Sequence, residues 1–190
     1  MIILKWLLVA AMVAPIIADC FNGNARKRIG VFSQITAGML VVNLLVILLV
    51  VAAAVALQAT FPFLRWSWLS LLGTQGINPT VAPMAVPYIG IPFTAILIYN
   101  MPNMAHAEEE LFRSGLSTWG EALPWAIIFG LSHCLIGVPL SAGIALTIAG
   151  LWFTSRYFAG GIELSTAHHT AYNLIVVTVI AIILLVEQNI

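Results

Sequence analysis

From Val31 to Leu57 the chain carries no charged side chain. At about 1.5 Å per residue a helix over that run reaches about 40 Å, more than the roughly 30 Å hydrocarbon core of a bilayer. A chain containing such a run either buries it in a large core or places it in lipid. Only 7% of the 190 residues are charged and 62% are hydrophobic, far more apolar surface than one soluble core can cover. Lipid is therefore the expected solvent. Backbone groups in lipid must be satisfied within the chain, so the expected class is all-α, a polytopic membrane protein.

Proline, glycine and charge divide the rest. Ile2–Ala18 reads as a first short membrane helix rather than a signal peptide, and Asp19 before Cys20 does not suit a lipoprotein cleavage site. The basic turn Asn22–Arg28 precedes the long run, within which Gln34 and Asn43 are expected to face other helices. Phe61–Leu72, with Trp66 and Trp68, reads as an interfacial aromatic segment. Gly73–Pro79 reads as a turn, and Pro83, Pro87 and Pro92 make Val81–Ile91 short or irregular. Further helices are expected from Phe93 to about Ser114, kinked at Pro102; from Pro124 to about Val138; from Ala142 to Phe158; and from Ser165 to Val186. This gives about six transmembrane helices in a single domain, 1–190. The positive-inside bias puts Arg26, Lys27, Arg28, Arg113 and Arg156 on the inner side, against Lys5 and Arg65 outside. A multi-pass protein of a bacterial inner membrane, or of an internal membrane such as the thylakoid, fits this pattern.

Zero net charge points to no nucleic-acid partner. Membrane lipids are the partners composition implies. Cys20 and Cys134 share no metal-type or CxxC spacing and read as free thiols.

Against this background Glu108-Glu109-Glu110-Leu111-Phe112-Arg113 stands out. Ionisable groups in apolar spans are costly unless paired, and so are functional candidates. Helical phase separates them: Glu109 and Arg113 are i,i+4 and suited to an ion pair, while Glu108 lies about 100° away. Glu110 is expected to meet solvent. Phe129 and His133 form a second same-face pair and His169 and Asn173 a third. Counted from the expected helix ends, Glu108, His133 and His169 lie about 9, 14 and 12 Å deep. His106 and His168 are weaker candidates, and Trp66, Trp68 and Trp152 read as packing or interface aromatics.

The order Glu-Glu-x-x-x-Arg, Phe-x-x-x-His and His-x-x-x-Asn, each on its own apolar segment, resembles the CPBP intramembrane proteases. That family includes the CAAX-prenyl endopeptidase and the bacteriocin-processing and immunity (Abi) proteins. The resemblance covers residues 93–174. It implies a catalytic core in which Glu108 activates water with help from His133. His169 and Asn173 would hold the water or the oxyanion, Glu109 and Arg113 form a structural ion pair, and Phe129 packs the motif. The substrate would be a membrane-associated peptide or protein. No serine or cysteine has a base partner at motif spacing, so direct attack by water is expected, with no cofactor. Zinc held by the carboxylates and histidines is the chemical rival, placed lower because there is no His-Glu-x-x-His and Glu109 is committed to Arg113. The alternative of another class is a non-catalytic member serving as scaffold or assembly subunit of a membrane complex.

Overall fold

The computed structural model describes residues 2–72, 84 and 90–187, with backbone alone at 2–9, 12, 20, 72, 185 and 187. Six α-helices are present among them: α1 (Ile2–Asn22), α2 (Ala25–Ser33), α3 (Ala37–Thr60), α4 (Gly90–Arg113), α5 (Trp119–Ser132) and α6 (Leu140–Glu187). Short 3-10 turns cover Pro62–Arg65, Trp68–Leu72 and His133–Ile136. The expected turn at Gly73–Pro79 and most of the irregular stretch Val81–Ile91 lie outside the described residues.

Three helical stretches are long and apolar enough to cross a membrane: Ala37–Thr60, Trp119–Ile136 and Leu140–Leu184. The expectation of six is met only to that extent. Helix α4 has the length, but Asn100, Asn103 and His106 dilute its apolar character. The long run also begins later than expected. Residues 31–33 belong to α2, and Thr36, in extended conformation, accepts from the Met39 amide and starts α3. Such an N-cap satisfies one of the free amides of the first turn and fixes the boundary there.

Helix α6 is too long for one crossing, and its backbone shows why. Gly160 and Gly161 leave the helical region, Gly161 at φ 71° and ψ −167°, a conformation open in practice to glycine alone. In a straight helix Phe153 and His169 would lie about 24 Å apart. Their rings instead stack with centroids at 4.3 Å, and Trp152 meets His168 at 5.4 Å. Helix α6 is thus a hairpin of two antiparallel halves, 140–159 and 162–187, matching the two helices expected on either side of Gly160-Gly161.

Helix α5 starts before Pro124, contrary to expectation. Thr118 and Glu121 form a reciprocal capping box that begins the helix at Trp119, and such a box outweighs a proline one turn inside. The helix also ends early, so His133 opens the 3-10 turn that follows. Helices α5 and α6 approach through small residues. A side chain at Gly130 would strike the Gly143 carbonyl and come within 2.7 Å of the Thr147 amide, and one at Gly150 would come within 2.9 Å of the Ala126 carbonyl.

The contacts define two ends. At one, the Leu140 amide donates to the Trp66 carbonyl and the Trp68 indole to the Cys134 carbonyl. There Phe61, Phe63, Trp66 and Trp68 are exposed, as the interfacial reading requires. At the other, Trp119 meets Phe158 and the Gly115 amide donates to the Tyr157 hydroxyl.

Two arginines counted towards orientation prove to be interior. Arg28 is buried and paired with Asp19, donates to Asn100 at 3.0 Å, and faces the Tyr99 ring. Arg113 is buried as well. Each is neutralised by a carboxylate, so neither marks an interface, and the orientation rests on fewer charges than the sequence suggested.

Candidate active site

Helix α4 continues through all three glutamates to Arg113, so the phase argument applies to the observed helix. Glu109 is fully buried and Arg113 1% exposed, with Nη1 to Oε1 at 3.0 Å. The guanidinium lies over two rings, 4.5 Å from the Phe129 centroid and 5.5 Å from that of Phe153. Burial of this kind stabilises only when both charges are present, because removal of either leaves an uncompensated ion in a low-dielectric interior.

Glu109 does more than pair with arginine. His169, on the second half of α6, places Nδ1 2.7 Å from Glu109 Oε1. Ser165 donates its hydroxyl to Oε2 and lies 2.9 Å from the Phe153 carbonyl. An ionised carboxylate only accepts, so His169 carries a proton on Nδ1. Its Nε2 faces Glu108, whose Oε2 is 3.7 Å away, longer than a direct hydrogen bond. Glu108 Oε2 is inaccessible and has no hydrogen-bond partner among the described residues, although its side chain as a whole is a third exposed.

Phe129 is the hub around which the other motif residues turn. It is buried, and its ring meets His169 at 5.7 Å, His133 at 4.9 Å, Phe112 at 5.4 Å and Phe153 at 6.0 Å. His133 is half-buried, with Nδ1 2.8 Å from the Phe129 carbonyl. A carbonyl only accepts, so His133 also carries a proton on Nδ1. Asn173, half-buried one helical turn beyond His169, lies on the same face. The structure thus brings Glu108, Glu109, Arg113, Phe129 and His169 together, and sets His133 and His169 against the same Phe129 ring.

The lesser candidates fall elsewhere. Glu110 is exposed, with His106 Nε2 at 3.4 Å, and His106 Nδ1 reaches Thr166 at 3.3 Å. Cys134 is a half-buried free thiol whose sulfur lies 4.0 Å from the Pro139 carbonyl. Among the described residues no three of His, Cys, Asp and Glu are grouped to hold a metal ion.

Two members of the site escaped the sequence reading. Ser165 is i−4 to His169, so the same-face rule could have found it. Phe153, stacked on His169, depends on the hairpin register and had no such signal.

Comparison of the chain with protein-family models, with curated proteins and with solved structures finds no match, which leaves the resemblance resting on these motif residues and their arrangement.

Proposed function

We propose that this chain is an intramembrane endopeptidase of the CPBP type, cleaving membrane-associated peptide or protein substrates with a glutamate-activated water. The observation that carries this reading is the approach of Glu108, whose side chain is a third exposed, to buried His169, with Oε2 3.7 Å from Nε2. A water on the exposed side of Glu108 would give one proton to this carboxylate, while the imidazole holds the carboxylate in place. Proton transfer to a positioned base of this kind contributes about 10²–10⁴-fold in rate.

The tautomers refine the roles implied by the family. The Nδ1 protons of His169 and His133 face Glu109 and the Phe129 carbonyl, so neither is directed at an oxyanion. The Asn173 amide has N–H groups to give and is the better candidate for that task. Once Glu108 has taken the proton from water, it can return it to the leaving amine.

Glu109 and Arg113 act through His169. The carboxylate fixes the imidazole tautomer, and the guanidinium compensates the carboxylate. An integral multi-pass protein of a bacterial inner membrane, or of an internal membrane such as the thylakoid, is the setting that fits.

The test is cleavage of a reconstituted library of membrane peptides, read by mass spectrometry. Wild-type protein should release fragments, and Glu108→Gln should not while remaining folded. Cleavage retained by Glu108→Gln would sink the mechanism. No cleavage by wild type of any peptide would favour a scaffold or assembly subunit.

A further inference from the structure

Helix α3 carries none of the motif residues, yet it reaches the site. Asn43 is wholly buried, and its amide is used on both sides. Its Nδ2 donates to the Met39 carbonyl at 2.9 Å and lies 3.3 Å from His168 Nδ1, while Oδ1 accepts from the Trp152 indole at 3.0 Å. An indole N–H can only donate, so the amide oxygen must face Trp152 and the amide nitrogen must face His168. His168 Nδ1 is therefore an acceptor, and its proton sits on Nε2. His169, the next residue, holds its proton on Nδ1 because a carboxylate faces it. Two adjoining histidines are fixed in opposite tautomers by partners of opposite character.

We infer that Asn43 and His168 are positioning residues for His169, a role that rests on the peptidase reading of the site. The two histidines point about 100° apart on one helix. Rotating the second half of α6 about its axis breaks either the Asn43–His168 contact or the Glu109–His169 contact, and sliding it breaks both. The first half reads the same register, since Trp152 meets His168 edge-on and its neighbour Phe153 stacks on His169. Helix α3 thereby fixes the direction in which His169 presents Nε2 to Glu108. Second-shell partners of catalytic and metal-binding histidines fix tautomer and ring orientation in the same way.

The experiment uses the full chain in lipid nanodiscs with ¹⁵N-labelled histidine, each of the four histidines assigned by single substitution. Long-range ¹H–¹⁵N correlations separate the two neutral tautomers. Wild type should show His168 protonated on Nε2, and His133 and His169 on Nδ1. Asn43→Asp replaces the donor facing His168 with an acceptor of the same shape and should move the His168 proton to Nδ1. Asn43→Leu removes the contact, and the His169 Nδ1 proton should then exchange with water at least 10-fold faster. Should Asn43→Leu fail to fold, His168→Leu replaces it, with the same acceleration expected. In His168→Asn the amide oxygen takes the place of Nδ1 and can accept from Asn43, so His169 exchange should stay at the wild-type rate.

A wild-type His168 with its proton on Nδ1 would overturn the proposal. So would an unchanged His169 rate in folded Asn43→Leu or His168→Leu, or accelerated exchange in His168→Asn. Failure of the peptidase reading is seen separately: cleavage would be absent or independent of Glu108 while the tautomers stayed as stated.

Discussion

His169 donates its Nδ1–H to Glu109 across 2.7 Å, and this bond ties an ion pair within one helix to a second helix. Glu109 sits between a cation on its own helix and an imidazole on another. Each of its oxygens is used, Oε1 by Arg113 and His169 and Oε2 by Ser165.

Loss of either charge should therefore cost stability before it costs chemistry. Glu109→Ala and Arg113→Ala should each lower unfolding stability by about 3–5 kcal/mol, because the partner is left charged and buried. Thermal unfolding in detergent measures this. The double change to apolar residues of similar volume should recover a large part of the loss. Equal destabilisation by the single and double variants would show that the pair is not what holds the helices.

Chemistry is expected to separate from stability at Glu108. Its side chain is a third exposed and meets His169 Nε2 only at 3.7 Å, whereas Glu109 lies 2.7 Å from His169 Nδ1. Glu108→Gln should cost no more than about 1 kcal/mol of unfolding stability, while cleavage falls by at least about 10²-fold.

His169→Asn carries a different signature. The new amide nitrogen takes the place of Nδ1 and can still donate to Glu109, but the Nε2 facing Glu108 is lost. The expected outcome is a kcat lowered by about 10²-fold or more with little change in KM. A rise in KM alone would place His169 in substrate binding instead.

Metal dependence has its own measurement. Glu109 and His169 are already hydrogen-bonded to one another, and cleavage should proceed unchanged after chelation. Inhibition by a chelator, reversed by added zinc, would replace the water-activating glutamate with a metal centre.

The reversal in α6 offers a test by backbone alone. Gly161→Ala should destabilise by about 1–3 kcal/mol, since the new Cβ cannot tolerate φ 71° with ψ −167°. No contact is lost in that variant, because nothing lies within 4 Å of the site of the added atom. Both stability and His169-dependent cleavage should fall together, as the hairpin sets the register of Phe153 against His169.

Much of this was legible because helical phase is local. The i,i+4 spacings of Glu109 with Arg113, Phe129 with His133 and His169 with Asn173 follow from a period of 3.6 residues and need no tertiary knowledge. The hairpin was legible too, through Gly160-Gly161. What could not be read was the choice of partner across helices. Arg28 was counted as an interfacial charge because its neighbours in sequence are basic, whereas its partner Asp19 lies on the preceding helix. Asn43 and His168 are separated by 125 positions, and no spacing rule reaches that far. His133 was misplaced because a capping box at Thr118 and Glu121 started its helix earlier than Pro124 suggested.

The position of the α6 hairpin also says something about the order in which the site can be assembled. Ser165, His168 and His169 meet Trp152 and Phe153 across a tight turn, so those contacts close within a short stretch of chain. Glu109 reaches the membrane earlier, with only Arg113 on its own helix to neutralise it. Closing short loops is entropically easy and joining distant helices is not. The two motif carboxylates thus depend on different lengths of chain, Glu109 finding its arginine on its own helix and Glu108 meeting His169 only across helices. By loop length alone, the expected order joins the histidine-bearing hairpin to an ion pair already in place.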